Sequence, residues 1–262
     1  MPYAQLAQLA LIALAGFGAG AVNALAGGGT LISFPVLVAA GFPAIAANLT
    51  STIALCPGYL GATYAQRADL RGQSARLYVL LPLSLLGGLL GAALLLHTGE
   101  RRFIQIVPWL LLSACALVAL QERLRGVLAA RRGAAAESPA GAQSAPLWLS
   151  PLVVAGAIYG GFFGAGMSII ILAVLGLALA DPLPRLNALK QAMALATNCA
   201  AAVWLAVRAP VNWRVVAVLA LSALLGGVWG GRLAGRLSPL WLRRIVVVLG
   251  VVVAAVYLWR AR

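Results

Sequence analysis

The chain has 262 residues, 63% of them hydrophobic and 9% charged, with a mean hydropathy of +1.00. A soluble domain carries about a quarter charged residues, so an ordinary soluble fold is excluded. The apolar excess comes in blocks of roughly 20 residues with no period of two, which points to an all-α, polytopic helical membrane protein and not to a barrel.

The net charge of +14 lies largely in short loops between apolar blocks, with no basic stripe interleaved with aromatics. It therefore speaks for membrane orientation and against nucleic acid. The opening MPYAQLAQLA has no basic region ahead of its apolar run, so the first block is expected to be retained rather than cleaved as a signal peptide. That block, 6–40, is too long for one crossing and short for two. In its middle stands AGGGT, with Gly27, Gly28, Gly29 and Thr30. A glycine run weakens a helix. Backbone freed at membrane depth must face protein or a water-filled cavity, and half-helix N-termini there suit an anion. A glycine-rich packing contact or a plain kink is the competing explanation.

The second block, 44–66, carries Asn48, Ser51, Thr52, Leu55 and Tyr59 on one helical face. Blocks follow over 77–97 and 103–121. His97, the single histidine, ends the first of these, as an interfacial residue would. Residues 122–146, rich in Ala, Gly, Ser, Pro and Arg, read as a cytoplasmic linker between a first membrane repeat, 1–121, and a second, 147–262.

The second repeat opens with a block over 147–180, interrupted by GAGMS with Gly164, Gly166 and Ser168. The block over 186–207 places Asn187, Lys190, Gln191, Ala194 and Asn198 on one face, with Thr197 beside it. Lys190 is the only lysine against 18 arginines. Lysine is a compact charge that shifts its protonation readily when buried, whereas arginine stays charged. Lys190 either contacts a ligand or snorkels to the interface beside Arg185. Blocks over 214–233 and 243–259 complete the chain. Trp109, Trp148, Trp213, Trp241 and Trp259 lie near block ends, as interfacial anchors should.

The two halves resemble each other. LSLLGGLLGA (83–92) matches SALLGGVWGG (222–231) at an offset of 139, which also places Pro43 on Pro182, Asn48 on Asn187 and Gly27 on Gly166. One residue more puts Gly16 and Gly20 on Gly156 and Gly160. An internal duplication explains these matches, and paired repeats are common among secondary transporters; chance similarity of Ala/Leu/Gly-rich helices is the alternative. Gly87/Gly91 and Gly227/Gly231/Gly235 have the small-xxx-small spacing of close helix contacts. Arginines cluster in 67–76, the linker and 232–244. Placing these three on the cytoplasmic side makes the repeats inverted, and each opening block then becomes a re-entrant hairpin. Eight full crossings with parallel halves is the other arrangement.

Asp69, Glu100, Glu122, Glu137 and Asp181 all stand in loops or at block ends, so no intramembrane carboxylate offers a proton or sodium carrier. Cys56, Cys115 and Cys199 lie inside apolar blocks with no CxxC spacing, against a disulfide framework or zinc. No cofactor and no metal is called for. A membrane-embedded enzyme would need a nucleophile with its base, a carboxylate pair or metal ligands, and one terminal histidine with no buried acid makes that a poor second to a carrier of small anions.

The stretches GFGAGAVNALAGGGTLISFPVL, GFPAIAANLTST, GAIYGGFFGAG and ALKQAMALATN resemble the TauE/SafE family of sulfite and organosulfonate exporters over nearly the whole chain except the linker. The resemblance implies an integral transporter of the bacterial cytoplasmic membrane that moves sulfite, sulfonates or related anions, and a homodimer among its assemblies. Gly27, Gly28 and Gly29 match the first glycine motif, and Gly164 and Gly166 the second, although Met167 interrupts it. Lys190, Thr197 and Asn198 match a Lys…Ser/Thr-Asn pattern. Thr50-Ser51-Thr52 stands where some relatives have Thr-Asn-Lys, one positive charge fewer, which favours a smaller or singly charged anion.

Overall fold

A computed structural model describes residues 2–26, 28–133, 145–179, 181–233 and 239–260. Gly27, Gly235, part of the linker (134–144) and part of the last arginine-bearing loop (234–238) lie outside the described residues. Among the described residues there are ten helices and no strand.

The first apolar block is two helices, α1 (Pro2–Ala26) and α2 (Thr30–Ala39), and the fifth is likewise two, α6 (Leu149–Phe162) and α7 (Met167–Ala178). Both breaks fall on the glycine segments. The unbroken blocks become α3 (Ala44–Ala65), α4 (Ser74–Thr98), α5 (Glu100–Gly133), α8 (Leu183–Arg208), α9 (Trp213–Leu233) and α10 (Pro239–Arg260). Helix α5 runs on into 122–133, so the first half of the segment read as a linker is helical. Pro43 and Pro182 precede α3 and α8 with nearly equal dihedrals, φ −53°/ψ 148° and φ −56°/ψ 147°. Proline there fixes φ and supplies no N–H that the first turn would leave unpaired.

Among the described residues, three segments are long and apolar enough to cross a membrane: Gln5–Asn23, Ser74–Thr98 and Glu100–Gln121. Leucines four apart stand exposed on α4 (Leu86, Leu90, Leu94) and α9 (Leu221, Leu225), the surface that hydrocarbon would solvate. Trp109, Trp148, Trp213 and Trp259 are exposed as well.

Helix α1 packs on α9, α6 on α4, and α5 on α10, while α3 and α8 cross each other in the interior. Glycine lets the first two pairs approach. A Cβ at Gly20 or Gly226 would strike the backbone of α9 or α1, and one at Gly88 or Gly161 would strike Thr197 of α8 or Gly88 of α4. Gly87 and Gly91 likewise face α6. Backbones this close gain dispersion contact without needing a hydrophobic driving force, which lipid does not provide.

Polar ties fix which ends lie together. Gln8 Nε2 donates to Ala40 O at 2.6 Å, so α1 and α2 form a hairpin. The Glu100 carboxylate accepts from the N–H groups of Ala44 and Ile45, joining the α2–α3 turn to the α4–α5 turn. At the other end of α4, Arg76 pairs with Asp181, Gln73 Nε2 donates to Arg185 O at 3.1 Å, and Arg185 donates to Arg71 O at 3.1 Å. Asp181, read from sequence as a loop residue, is thus buried between Arg76 and Arg185.

Candidate functional site

The two breaks meet inside the bundle. At the first, Gly29 is needed because a Cβ there would come 2.6 Å from Ala19 O. Its carbonyl accepts Ser33 Oγ at 3.3 Å, and Ser33 in turn receives the hydroxyl of Ser51 from α3 at 2.8 Å. At the second, Gly164 and Gly166 have φ of +81° and +78°, a conformation in which a side chain is strained. Tyr159 holds that loop by donating to Ala165 O at 2.6 Å. Asn48, fully buried on α3, clips the two halves together: its Nδ2 donates to Phe162 O at 2.8 Å. A Cβ at Gly164 would lie 3.9 Å from the Thr30 hydroxyl, and the breaks rest on one stretch of α5, Gly166 against Ala114 and Gly28 against Val118. The N-termini of α2 and α7 therefore converge, each with backbone N–H groups that its own helix leaves unused. Two buried side-chain atoms here have no hydrogen-bond partner, Asn48 Oδ1 and Ser168 Oγ. The Tyr59 hydroxyl sits beside Ser168 and Asn23.

A second polar group surrounds Lys190. It stands seven residues beyond the start of α8, about 10 Å along the axis at 1.5 Å per residue, and is 7% exposed. Its Nζ donates to Asn187 Oδ1 at 2.7 Å, and Asn187 Nδ2 donates to Gln66 Oε1 at 2.7 Å. It is thus held inside the protein by a named partner and does not extend to the surface. Two cavities of about 410 Å³ each share Gln66 as a wall. One adjoins the arginine-bearing loop, with Asp69, Pro184 and Asn187 in its lining. The other runs inward past Gln191 and Asn23 between α3 and α9. Asn23 lines this inner cavity and also neighbours Tyr59, so the inner cavity leads toward the breaks.

The opposite end is closed by aromatic rings. Phe34 packs edge-on against Phe163 and Phe103 with centroids 5.5 and 6.4 Å away, and Phe103 meets Phe162 at 5.7 Å. All four rings are buried.

The sequence-predicted residues thus fall into three places. Gly28, Gly29, Thr30, Asn48, Ser51, Gly164, Gly166 and Ser168 gather at the joined breaks. Tyr59 and Gln191 stand between the breaks and the inner cavity, and Asn187 and Lys190 at its outer end. Thr52, Thr197 and Asn198 turn to backbone: Thr52 to Asn48 O, Asn198 to Ala194 O of its own helix, and Thr197 to Ser84 O in the α4–α8 seam. Asn23, Ser33 and Gln66 were missed. The offset of 139 pairs Ser33 with Leu172 and Gln66 with Leu205, so symmetry between the halves pointed away from them.

Neither a curated protein nor a solved structure matches the chain. The family described as "Sulfite exporter TauE/SafE" matches residues 12–257. The helical bundle with apolar outer stripes is that of an integral membrane protein, and the chain belongs to the TauE/SafE sulfite exporter family, a family of transporters and not of enzymes.

Proposed function

We propose that the protein exports a small, singly charged sulfur oxyanion, sulfite in its hydrogensulfite form or a sulfonate, across the bacterial cytoplasmic membrane, and that the anion binds where the two breaks meet. The observation that carries this reading is the convergence of the α2 and α7 N-termini around Ser168, whose buried hydroxyl has no partner. Helix N-termini offer N–H groups and the positive end of the dipole to an anion. The unpartnered Asn48 Oδ1 and Gln191 Oε1 are acceptors, which suits hydrogensulfite, an anion with a proton to donate, better than a sulfonate, which has none. Burying these groups unpaired costs about 1–3 kcal/mol each, a cost that a bound ligand removes.

The reading also takes the halves as inverted repeats. Three observations support it. Equal proline geometry begins α3 and α8. The packing is reciprocal, α1 on α9 and α6 on α4. The α2–α3 turn is tied to one end of α4 and the α7–α8 turn to the other, although the duplication makes these turns equivalent. Arg67, Arg71 and Arg76 then mark the cytoplasmic face, and the cavities open toward it while the aromatic rings close the other. That is the loading state of an exporter, with a basic rim that draws anions in.

Flux into proteoliposomes tests the proposal. Sulfite or a short sulfonate should move saturably, faster than acetate or chloride. Ser168→Ala removes a hydroxyl whose neighbour is the Tyr59 hydroxyl, so folding should be little changed while anion affinity falls about tenfold. Equal flux of all anions, or a Ser168→Ala protein indistinguishable from wild type, would reject the site.

A further inference from the structure

The chain has three cysteines, far apart in sequence, and the fold brings two of them together. Cys56 of α3 and Cys199 of α8 stand where these helices cross, and their thiols hydrogen-bond to each other. The Cys56 thiol also donates to Thr52 O, one turn back, at 3.3 Å, which holds its sulfur in place. Both are free and half-buried. The duplication does not account for the pair, because the offset of 139 sets Leu195 on Cys56 and Leu60 on Cys199. Cys115 lies elsewhere, on α5, with its thiol toward Val247 O of α10 at 3.7 Å.

The pair adjoins the inner cavity. Leu55 and Gly58, on either side of Cys56 in α3, line that cavity, and the Tyr59 hydroxyl neighbours Cys56 as well as Ser168 of the second break. A small neutral oxidant, hydrogen peroxide, therefore has a route to the sulfurs. One of them, as thiolate, attacks a peroxide oxygen: the S–O bond forms, the O–O bond breaks, and hydroxide leaves a sulfenic acid behind. The second sulfur attacks the sulfenic sulfur, the S–S bond forms, and the hydroxyl departs as water with the proton of the second thiol. Two thiols and one peroxide thus give a disulfide and two waters, with two electrons passing from sulfur to oxygen. The bond ties α3, which carries Asn48 and Ser51, to α8, which carries Lys190 and Gln191. Opening these polar groups to each side of the membrane in turn has to change how the two helices cross, and a covalent tie at the crossing prevents that.

We propose that Cys56 and Cys199 are a redox pair which peroxide converts to a disulfide, locking α3 to α8 and stopping transport until a thiol reductant reopens it. The pair stands on its own geometry, whereas the block on transport rests on the reading of the protein as an anion carrier. The full-length protein in proteoliposomes is treated with hydrogen peroxide, and catalase removes the excess before sulfite is added, because sulfite consumes peroxide. Mass spectrometry of a digest reads the Cys56–Cys199 cross-linked peptide. Initial sulfite flux is read in parallel, over times too short for sulfite to cleave the bond. Flux should fall in proportion to the cross-linked fraction and return with dithiothreitol. Cys56→Ala and Cys199→Ala should carry sulfite like the wild type before and after peroxide, and Cys115→Ala should lock as the wild type does. Peroxide-treated protein in which the two sulfurs stay unlinked overturns the pair. Cross-linked protein with undiminished flux overturns the lock and leaves the anion reading standing. A block that persists in Cys56→Ala and Cys199→Ala traces it to another group and overturns the lock as well. Reduced wild type that moves no sulfite removes the carrier reading and the lock with it, while the cross-linked peptide still decides the pair.

Discussion

Replacing Lys190 by methionine keeps the apolar stem and removes the ammonium. Among the bonds lost is the one to Asn187 Oδ1, 2.7 Å long and made by a side chain 7% exposed, so solvent screens it little. A charge-assisted hydrogen bond of this kind contributes about 1.5–3 kcal/mol, a factor of roughly ten to a hundred and fifty in affinity. The loss reaches the cavity that leads to the breaks through Asn187 and Gln66, because Asn187 joins Lys190 to Gln66 and Gln66 lines that cavity. Asn187→Ala should therefore reproduce most of it, and the double variant should lose little more than either single one. Lys190→Arg retains charge but presents a planar fork that is never neutralised, and should bind the anion yet release it slowly. Equilibrium binding of sulfite to each variant, with flux measured in parallel, gives these values. Affinities within a factor of two of wild type for Lys190→Met and Lys190→Arg alike would refute the argument, and so would fully additive losses in the double variant.

Asn48→Ala removes the clip between the breaks, a 2.8 Å bond to Phe162 O, and should cost about 1–3 kcal/mol, seen as a lower thermal midpoint in detergent; an unshifted midpoint would show that the breaks do not depend on it. Gly88→Ala and Gly161→Ala put a methyl into facing backbone and should destabilise by about 1–3 kcal/mol or more, whereas Gly58→Ala meets no atom within 4 Å and should be neutral or stabilise by up to about 1 kcal/mol; the reverse order in a thermal-shift series would contradict the packing. On a background without Cys56, Cys115 and Cys199, cysteines replacing Arg71 and Leu183 should react with an impermeant reagent from one side of the membrane and a cysteine replacing Arg101 from the other; labelling of all three from one side would exclude the inverted arrangement.

Much of the helical layout is legible in the sequence because lipid imposes simple rules. Apolar runs must be helices, and where a run is too long for one crossing a glycine segment marks its interruption, so the breaks at Gly28–Gly29 and Gly164–Gly166 are readable, while Gly87–Gly88 and Gly226–Gly227 stay helical. Where the breaks go is not, since it depends on Asn48 reaching Phe162, 114 residues away. The polar stripe on α8 predicts one face, yet its members have separate fates. Asn198 satisfies itself on Ala194 O, Thr197 is spent in the seam with α4, and only Asn187, Lys190 and Gln191 reach the cavities or their rim. Periodicity reports which side of a helix a residue occupies, and hydrogen-bond partners decide what it does there. Gln66 shows the converse failure. It ends an apolar block, has no polar counterpart in the other half, and acquires its role only because α3 and α8 cross.

The division of labour among the helices follows from where glycine is used. In the α1–α9 and α4–α6 pairs glycine brings backbones into contact, and such seams resist change because any shift loses many close contacts at once. Each pair takes one helix from each half, so the proposed repeats are interleaved and not set side by side. The polar groups lie instead on α3 and α8 and at the breaks, where α3 has open space beside Gly58 and Gly61. Rigid seams framing a pair of central helices with room around them are what one-sided access requires. The aromatic rings of α2, α5 and the second break seal one end in this state, and the chain from Lys190 to Gln66 lies at the other. An exchange of the two ends would have to separate Phe34 from Phe103 and Phe163 while breaking few of the glycine contacts, so the motion belongs to the short helices α2 and α7 and to the crossing of α3 with α8, not to the seams.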